Sequence, residues 1–130
     1  MADESYEIND DFVIIGRGDA AFAKNANRES GQDLIKNIDK NKFILLLDHQ
    51  PIELKKNSQL GFDLQLSGHT HAGQIWPTGL IGQMFGLVEL NYGYEKIGDF
   101  QIIVSSGMSG WGYPVRTEAH SEYDVIDITK

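Results

Sequence analysis

The stretch LQLSGHTHAGQIWP, from Leu64 to Pro77, constrains this chain more than any other. Leu64 and Leu66 alternate with polar residues, the period of a strand that buries one face. Gly68 ends the run, His69 and His71 follow two residues apart, and Gly73 comes next. Residues i and i+2 of an extended segment point the same way. The glycines let the backbone turn without a Cβ penalty. Two imidazoles therefore leave the end of a strand close together, as neutral nitrogen donors for one or two divalent metals. The competing reading is a pair of exposed turn histidines.

A second stretch repeats the arrangement. Residues 43–47, FILLL, form an uninterrupted apolar run, followed by Asp48, His49, Gln50 and Pro51. Such a run fits a strand buried on both faces, as in a parallel sheet covered by helices. Pro51 cannot continue it. Sites in open α/β sheets gather at the carboxyl ends of strands. Neighbouring strands ending in His49 and in His69 and His71 would bring three of the four histidines to one rim.

Leu47-Asp48-His49-Gln50-Pro51 followed by Ser67-Gly68-His69-Thr70-His71 resembles the C-terminal part of the calcineurin-like metallophosphoesterases. Asn91-Tyr92-Gly93-Tyr94, Ser105-Ser106-Gly107 and Trp111-Gly112-Tyr113-Pro114-Val115-Arg116 extend the likeness toward their bacterial phosphohydrolase branch. Ala72 departs from the commoner glycine of that branch. The resemblance implies an α/β fold, a mixed sheet with few helices forming the C-terminal half of a β-sandwich. It implies hydrolysis of phosphomono- or diesters at a two-metal centre of Mn, Fe or Zn. His49 and His69 would ligate one metal and His71 the other. The family's N-terminal motifs are absent: no Asp-x-His, no Gly-Asp with a bridging Asp, no Gly-Asn-His-Asp/Glu. On this reading residues 1–130 are one domain carrying the last ligands only, inactive alone, whose partner is the enzyme's N-terminal half. The alternative is a non-catalytic metal-binding or interaction domain. A third reading is a structural half-sandwich with an apolar edge or face exposed when alone.

Composition narrows the partners. The chain has no cysteine, so any metal falls to His and carboxylates. A net charge of −8 does not suit a nucleic-acid surface. No apolar run reaches the ~18–20 residues of a membrane span. The expected localisation is cytoplasmic, or membrane-associated through residues outside the chain.

The remaining segments give coarser expectations. Residues 1–11 read as loosely ordered, 12–15 as a strand and 16–19 as a turn. The turn contains Arg-Gly-Asp, but an acidic, cysteine-free chain does not suit an adhesive module. Arg17 is a candidate phosphate contact or a solvated turn residue. Residues 20–29 read as a loop. Ser30 with Asp33 resembles a capping box, opening a helix near 30–40. Residues 52–56 suggest one helical turn, and Asp63 starts the next strand. Asp48 is a group that orients a ligand or a structural residue. Gln74 and Arg116 are candidate substrate contacts. Residues 79–86 form a short helix lining an entrance or a cap on the core. Residues 88–92 alternate, 94–97 and 100–104 form a hairpin, and 123–128 read as a final strand. His120 reads as solvated.

Overall fold

The structure, a computed structural model, describes residues 2–20, 28–86 and 89–129. Their six strands are β1 (Glu4–Asn9), β2 (Phe12–Gly16), β3 (Phe43–Leu47), β4 (Leu64–Ser67), β5 (Gly93–Ile97) and β6 (Phe100–Val104). They form one mixed sheet in the order β1-β2-β3-β4-β6-β5. The four central strands are parallel, and β1 and β5 run antiparallel at the two edges. Three short helices accompany them: α1 (Gly31–Ile35), α2 (Leu54–Asn57) and α3 (Thr78–Met84).

Register explains the layering. Val13 pairs with Ile44, Ile15 with Leu46, Leu46 with Gln65 and Gln65 with Ile102, so these side chains share one face. On it pack Leu34 and Ile35 of α1, Leu54 of α2 and Phe62, closing the hydrophobic core. Gln65 is fully buried in this face, where it accepts from Asn57 Nδ2 (2.9 Å) and donates to Ser67 Oγ (3.0 Å). The opposite face is apolar at its centre, with Leu45 and Leu64 buried. Toward its edges Ile14, Leu66 and Ile103 are half-buried, and Tyr6 and Leu47 are exposed. One sheet is thus present among the described residues, with α1 and α2 on one side, in keeping with the expected mixed α/β class.

Local chemistry explains where expectation and structure part. Residues 4–9 form a strand, not a loose tail. Asp11 N–H donates to Asn9 Oδ1 (2.9 Å), an Asx turn that folds β1 back onto β2. The helix expected over 30–40 starts at the predicted cap, where Asp33 N–H donates to Ser30 Oγ (3.1 Å), but ends at Ile35. Asp39 then takes the Asn41 N–H (3.0 Å) in a turn that competes with helix. Asp63 does open β4, and its carboxylate also accepts Ile44 N–H (2.6 Å). Residues 89–92 make no strand, and Val88 lies outside the described residues, as do 21–27 of the predicted loop. Residues 123–128 also form no strand. Alternation alone does not make a strand: neither segment docks on an edge of the sheet that could take its N–H and C=O groups.

Candidate metal centre

Parallel strands deliver their carboxyl ends to one rim. β2 leads into Arg17 and Asp19, β3 into Asp48 and His49, β4 into His69 and His71, and β6 into Ser105, Ser106 and Gly107. Strand pairing continues past the sheet: Arg17 N–H donates to Leu47 O (2.9 Å), Gly68 N–H to His49 O (3.1 Å) and Ser105 N–H to Ser67 O (3.0 Å). These bonds fix the loops against one another where the side chains emerge.

All three predicted histidines line one cavity of about 590 Å³, together with Asp19, Thr70, Gly73, Gln74, Ile75, Thr78, Trp111 and Tyr113. The His49 and His69 rings meet edge to face, with centroids 5.1 Å apart. Burial holds the His69 imidazole below its ordinary pKa; His49 adds to this, Asp19 opposes it, and His71 adds again. A neutral imidazole is the form that donates to a metal. The donor chemistry therefore fits divalent cations. Among the described residues, however, no three His, Asp or Glu side chains stand together so as to hold a metal ion.

The loop that presents them is strained. His69 (φ 69°), His71 (φ 51°), Ala72 (φ 51°) and Gln74 (φ 47°) all adopt left-handed backbone without being glycine. Each such residue costs roughly 1–3 kcal/mol, and such conformations cluster at functional sites. Thr70 Oγ1 helps to hold the loop, donating to Asn91 O (2.6 Å). Gly73 and Gly79 touch backbone to backbone. A Cβ on Gly73 would stand 2.6 Å from Gly79 Cα, which anchors α3 to the histidine loop.

The other singled-out residues have internal partners. Arg17, expected in a solvated turn or on phosphate, is buried; it pairs with Asp48 (3.2 Å) and Glu53 (2.7 Å) and donates to Glu29 O (3.0 Å). Asp48 lies beneath the rim, fully buried, and also pairs with Arg28. Burial pushes its carboxyl above the ordinary value, against the pull of Arg28 and Arg17. Burial also pushes Glu53 up, but hydrogen bonds from Arg17 and Lys56 outweigh it and leave the carboxyl below its ordinary value. Arg116 Nη2 donates to the carbonyls of Ser106 (2.8 Å), Gly107 (3.2 Å) and Ser109 (2.5 Å). The His120 side chain is exposed.

Gln74 lines the cavity but works mainly as a clamp. Its Nε2 donates to the carbonyls of Trp111 (3.0 Å), Tyr113 (3.0 Å) and Val115 (3.1 Å), and its Oε1 accepts Trp111 N–H (2.6 Å). It ties the Gly/aromatic loop to the cavity wall. Sequence reasoning missed Asp19, which reaches the cavity and accepts from buried Gln50 Nε2. Its signal was its place two residues after Arg17 at the end of a parallel strand.

Known proteins align with this sequence. An uncharacterized metallophosphoesterase of Helicobacter pylori strain J99 is 43% identical over 89 residues, 68% of this chain and 24% of the relative. One of Aquifex aeolicus is 34% identical over 131 residues, 97% of this chain and 48% of the relative. The chain is metallophosphoesterase-related. A third such relative, from Bacillus subtilis strain 168, is 34% identical over 89 residues, 66% of this chain and 31% of the relative. The metallophosphoesterase-related chain spans about a quarter to a half of the relatives named here. No family model and no solved structure matches it. Among the described residues no helix is long and apolar enough to cross a membrane.

Proposed function

We propose that this chain supplies part of the metal centre of a phosphoesterase that hydrolyses phosphomono- or diesters. The observation that supports it is the convergence of His49, His69 and His71 on one cavity at the ends of adjacent parallel strands. His49 and His69 would hold one divalent cation and His71 a second, of Mn, Fe or Zn type. Bound there, such ions polarise phosphoryl oxygens and lower the pKa of water toward neutrality.

The chain's own residues hold and shape this site. The left-handed residues after β4 fix the aim of two imidazoles. Asp48 locks the turn that presents His49 through its contacts with Arg17, Arg28 and Gln50 N–H (3.2 Å). Ile75, Trp111 and Tyr113 wall the cavity with apolar surface, which limits water around a bound ester. Carboxylate ligands to complete the centre come from protein outside this chain, its N-terminal partner, and the isolated chain is inactive.

The second reading, a non-catalytic metal-binding or interaction domain, draws on the absence, among the described residues, of three side chains placed to hold one ion. Hydrolysis of bis-p-nitrophenyl phosphate with Mn²⁺ separates the two. The phosphoesterase reading expects negligible turnover by residues 1–130. It expects turnover by the same chain extended upstream in its gene, lost in His69→Asn. An extended chain carrying the missing motifs that binds Mn²⁺ yet does not hydrolyse the diester would sink the reading.

A further inference from the structure

Residues 72–88 carry no charged side chain, nor do residues 100–115, in a chain of net charge −8. Both segments border the candidate metal cavity, the first through Ile75 and Thr78, the second through Trp111 and Tyr113. Outside the cavity, α3 turns apolar side chains to solvent: Leu80 is 54% exposed, Met84 75% and Phe85 76%. Trp76 and Trp111 are also mostly exposed. A surface helix ordinarily hides its apolar residues, and an exposed apolar patch of this kind marks a binding surface.

Two observations connect the patch to the site. The N-terminus of α3 is fastened to the histidine loop: Gly79 packs on Gly73, and Thr78 Oγ1 donates to Gly73 O and to Ile75 O (2.5 Å). Trp111 is held to the same loop by the Gln74 clamp. The apolar surface is thus continuous with the cavity wall and rigidly placed beside the imidazoles. It suits one ligand that is polar at one end and apolar at the other.

We propose that this site takes an amphiphilic phosphate ester, with its phosphate at the histidines and its apolar chain along α3 and Trp111. The proposal rests on the phosphoesterase reading above and specifies its substrate class. Both tryptophans of the chain are exposed in the two uncharged segments, and Trp111 lines the cavity, so its emission reports occupancy.

The test titrates the zinc-loaded chain with alkyl phosphates of six to ten carbons, below their critical micelle concentrations. Affinity is expected to rise roughly two- to four-fold per added methylene, with a blue shift of tryptophan emission. Phe85→Ser and Met84→Ser alter exposed side chains and should flatten this chain-length dependence while leaving zinc-induced histidine shifts intact. A flat dependence in the unmodified chain overturns the proposal. So does equal binding of decanol, which lacks the phosphate. An equal blue shift with phosphatidylcholine vesicles alone would make the surface a membrane contact. A blue shift that grows with protein concentration would make it a contact between copies. A blue shift on extending the chain upstream, with no ligand added, would make it a contact with the N-terminal partner. Any of these outcomes overturns the single-ligand proposal. Absent zinc-induced histidine shifts in the chain extended upstream, where the remaining ligands are present, would instead sink the phosphoesterase reading itself.

Discussion

Replacing Gln74 by leucine removes the clamp while keeping most of the side-chain volume. Four contacts go: three carbonyls lose an N–H donor and Trp111 N–H loses its acceptor. A net hydrogen bond contributes about 0.5–1.5 kcal/mol. Two N–H groups serve three carbonyls, and the loop can recruit water, so the lower half of that range applies, about 2–4 kcal/mol in total. With roughly 2.1 cal/mol/K of unfolding entropy per residue, 130 residues give a fall in melting temperature of about 7–15 °C. The loss should be visible locally as well. Trp111 N–H, whose acceptor is Gln74 Oε1, should lose hydrogen-exchange protection, whereas Thr117 N–H, bonded to the Gln74 backbone carbonyl (2.9 Å), should keep more of it. Gln74→Glu is the sharper variant. It preserves an acceptor for Trp111 but sets a carboxylate against three carbonyl oxygens. It should destabilise at neutral pH and recover as pH falls and the new group takes up a proton. Calorimetry and exchange by NMR read all of this. Unchanged melting and unchanged Trp111 protection in Gln74→Leu would refute the clamp.

Further outcomes follow from other contacts. Asp48→Ala leaves two arginines without their shared buried partner and should cost about 3–5 kcal/mol, read as a lower urea midpoint. In α3, Gly79→Ala should destabilise, because its Cβ would meet Asn91 Nδ2 at 2.6 Å and Gly73 Cα at 3.1 Å. Gly82→Ala, with open space around it, should stabilise the helix by about 0.5–1 kcal/mol. Ser106 N–H, chiefly, and the Tyr92 hydroxyl hold the Glu122 carboxyl below its ordinary value. Its contribution is therefore present above the unfolded-state pKa and lost as pH falls through the lower folded value. The hydrogen bond to Glu122 is the main cause of the raised Tyr92 pKa. Glu122→Gln should let Tyr92 ionise at lower pH, measured by phenolate absorbance.

The central sheet was legible because its strands carry strong patterns. Residues 43–47 are apolar throughout and end at His49 and Pro51, and β3 has those bounds. Hairpin β5–β6 follows its alternation and the Gly98-Asp99 turn. The placing of His49, His69 and His71 at one rim follows from strand direction, but the aim of His69 and His71 does not follow from extended i, i+2 spacing, since both lie past β4 with positive φ. Less legible were features set by distant partners. Arg17 looked like a turn residue because its partners Asp48 and Glu53 lie more than thirty positions away. Gln74 looked like a ligand contact because the carbonyls it ties belong to a loop far along the chain. The alternation over 123–128 forms no strand, since alternation does not itself dock a segment on an edge of the sheet. β1 was hidden by its acidic composition, although the Asn9-Asp10-Asp11 turn ahead of β2 carried a signal.

The most direct measurement is the titration of this chain with Zn²⁺ and Mn²⁺, followed through the histidine-ring NMR signals, with exposed His120 as the internal control. Zn²⁺ reads out as shifts and Mn²⁺ as paramagnetic broadening. Convergence predicts that His49, His69 and His71 respond together at sub-millimolar metal while His120 stays unchanged. Independent responses of the three rings, or a His120 response of equal size, would contradict a shared metal centre.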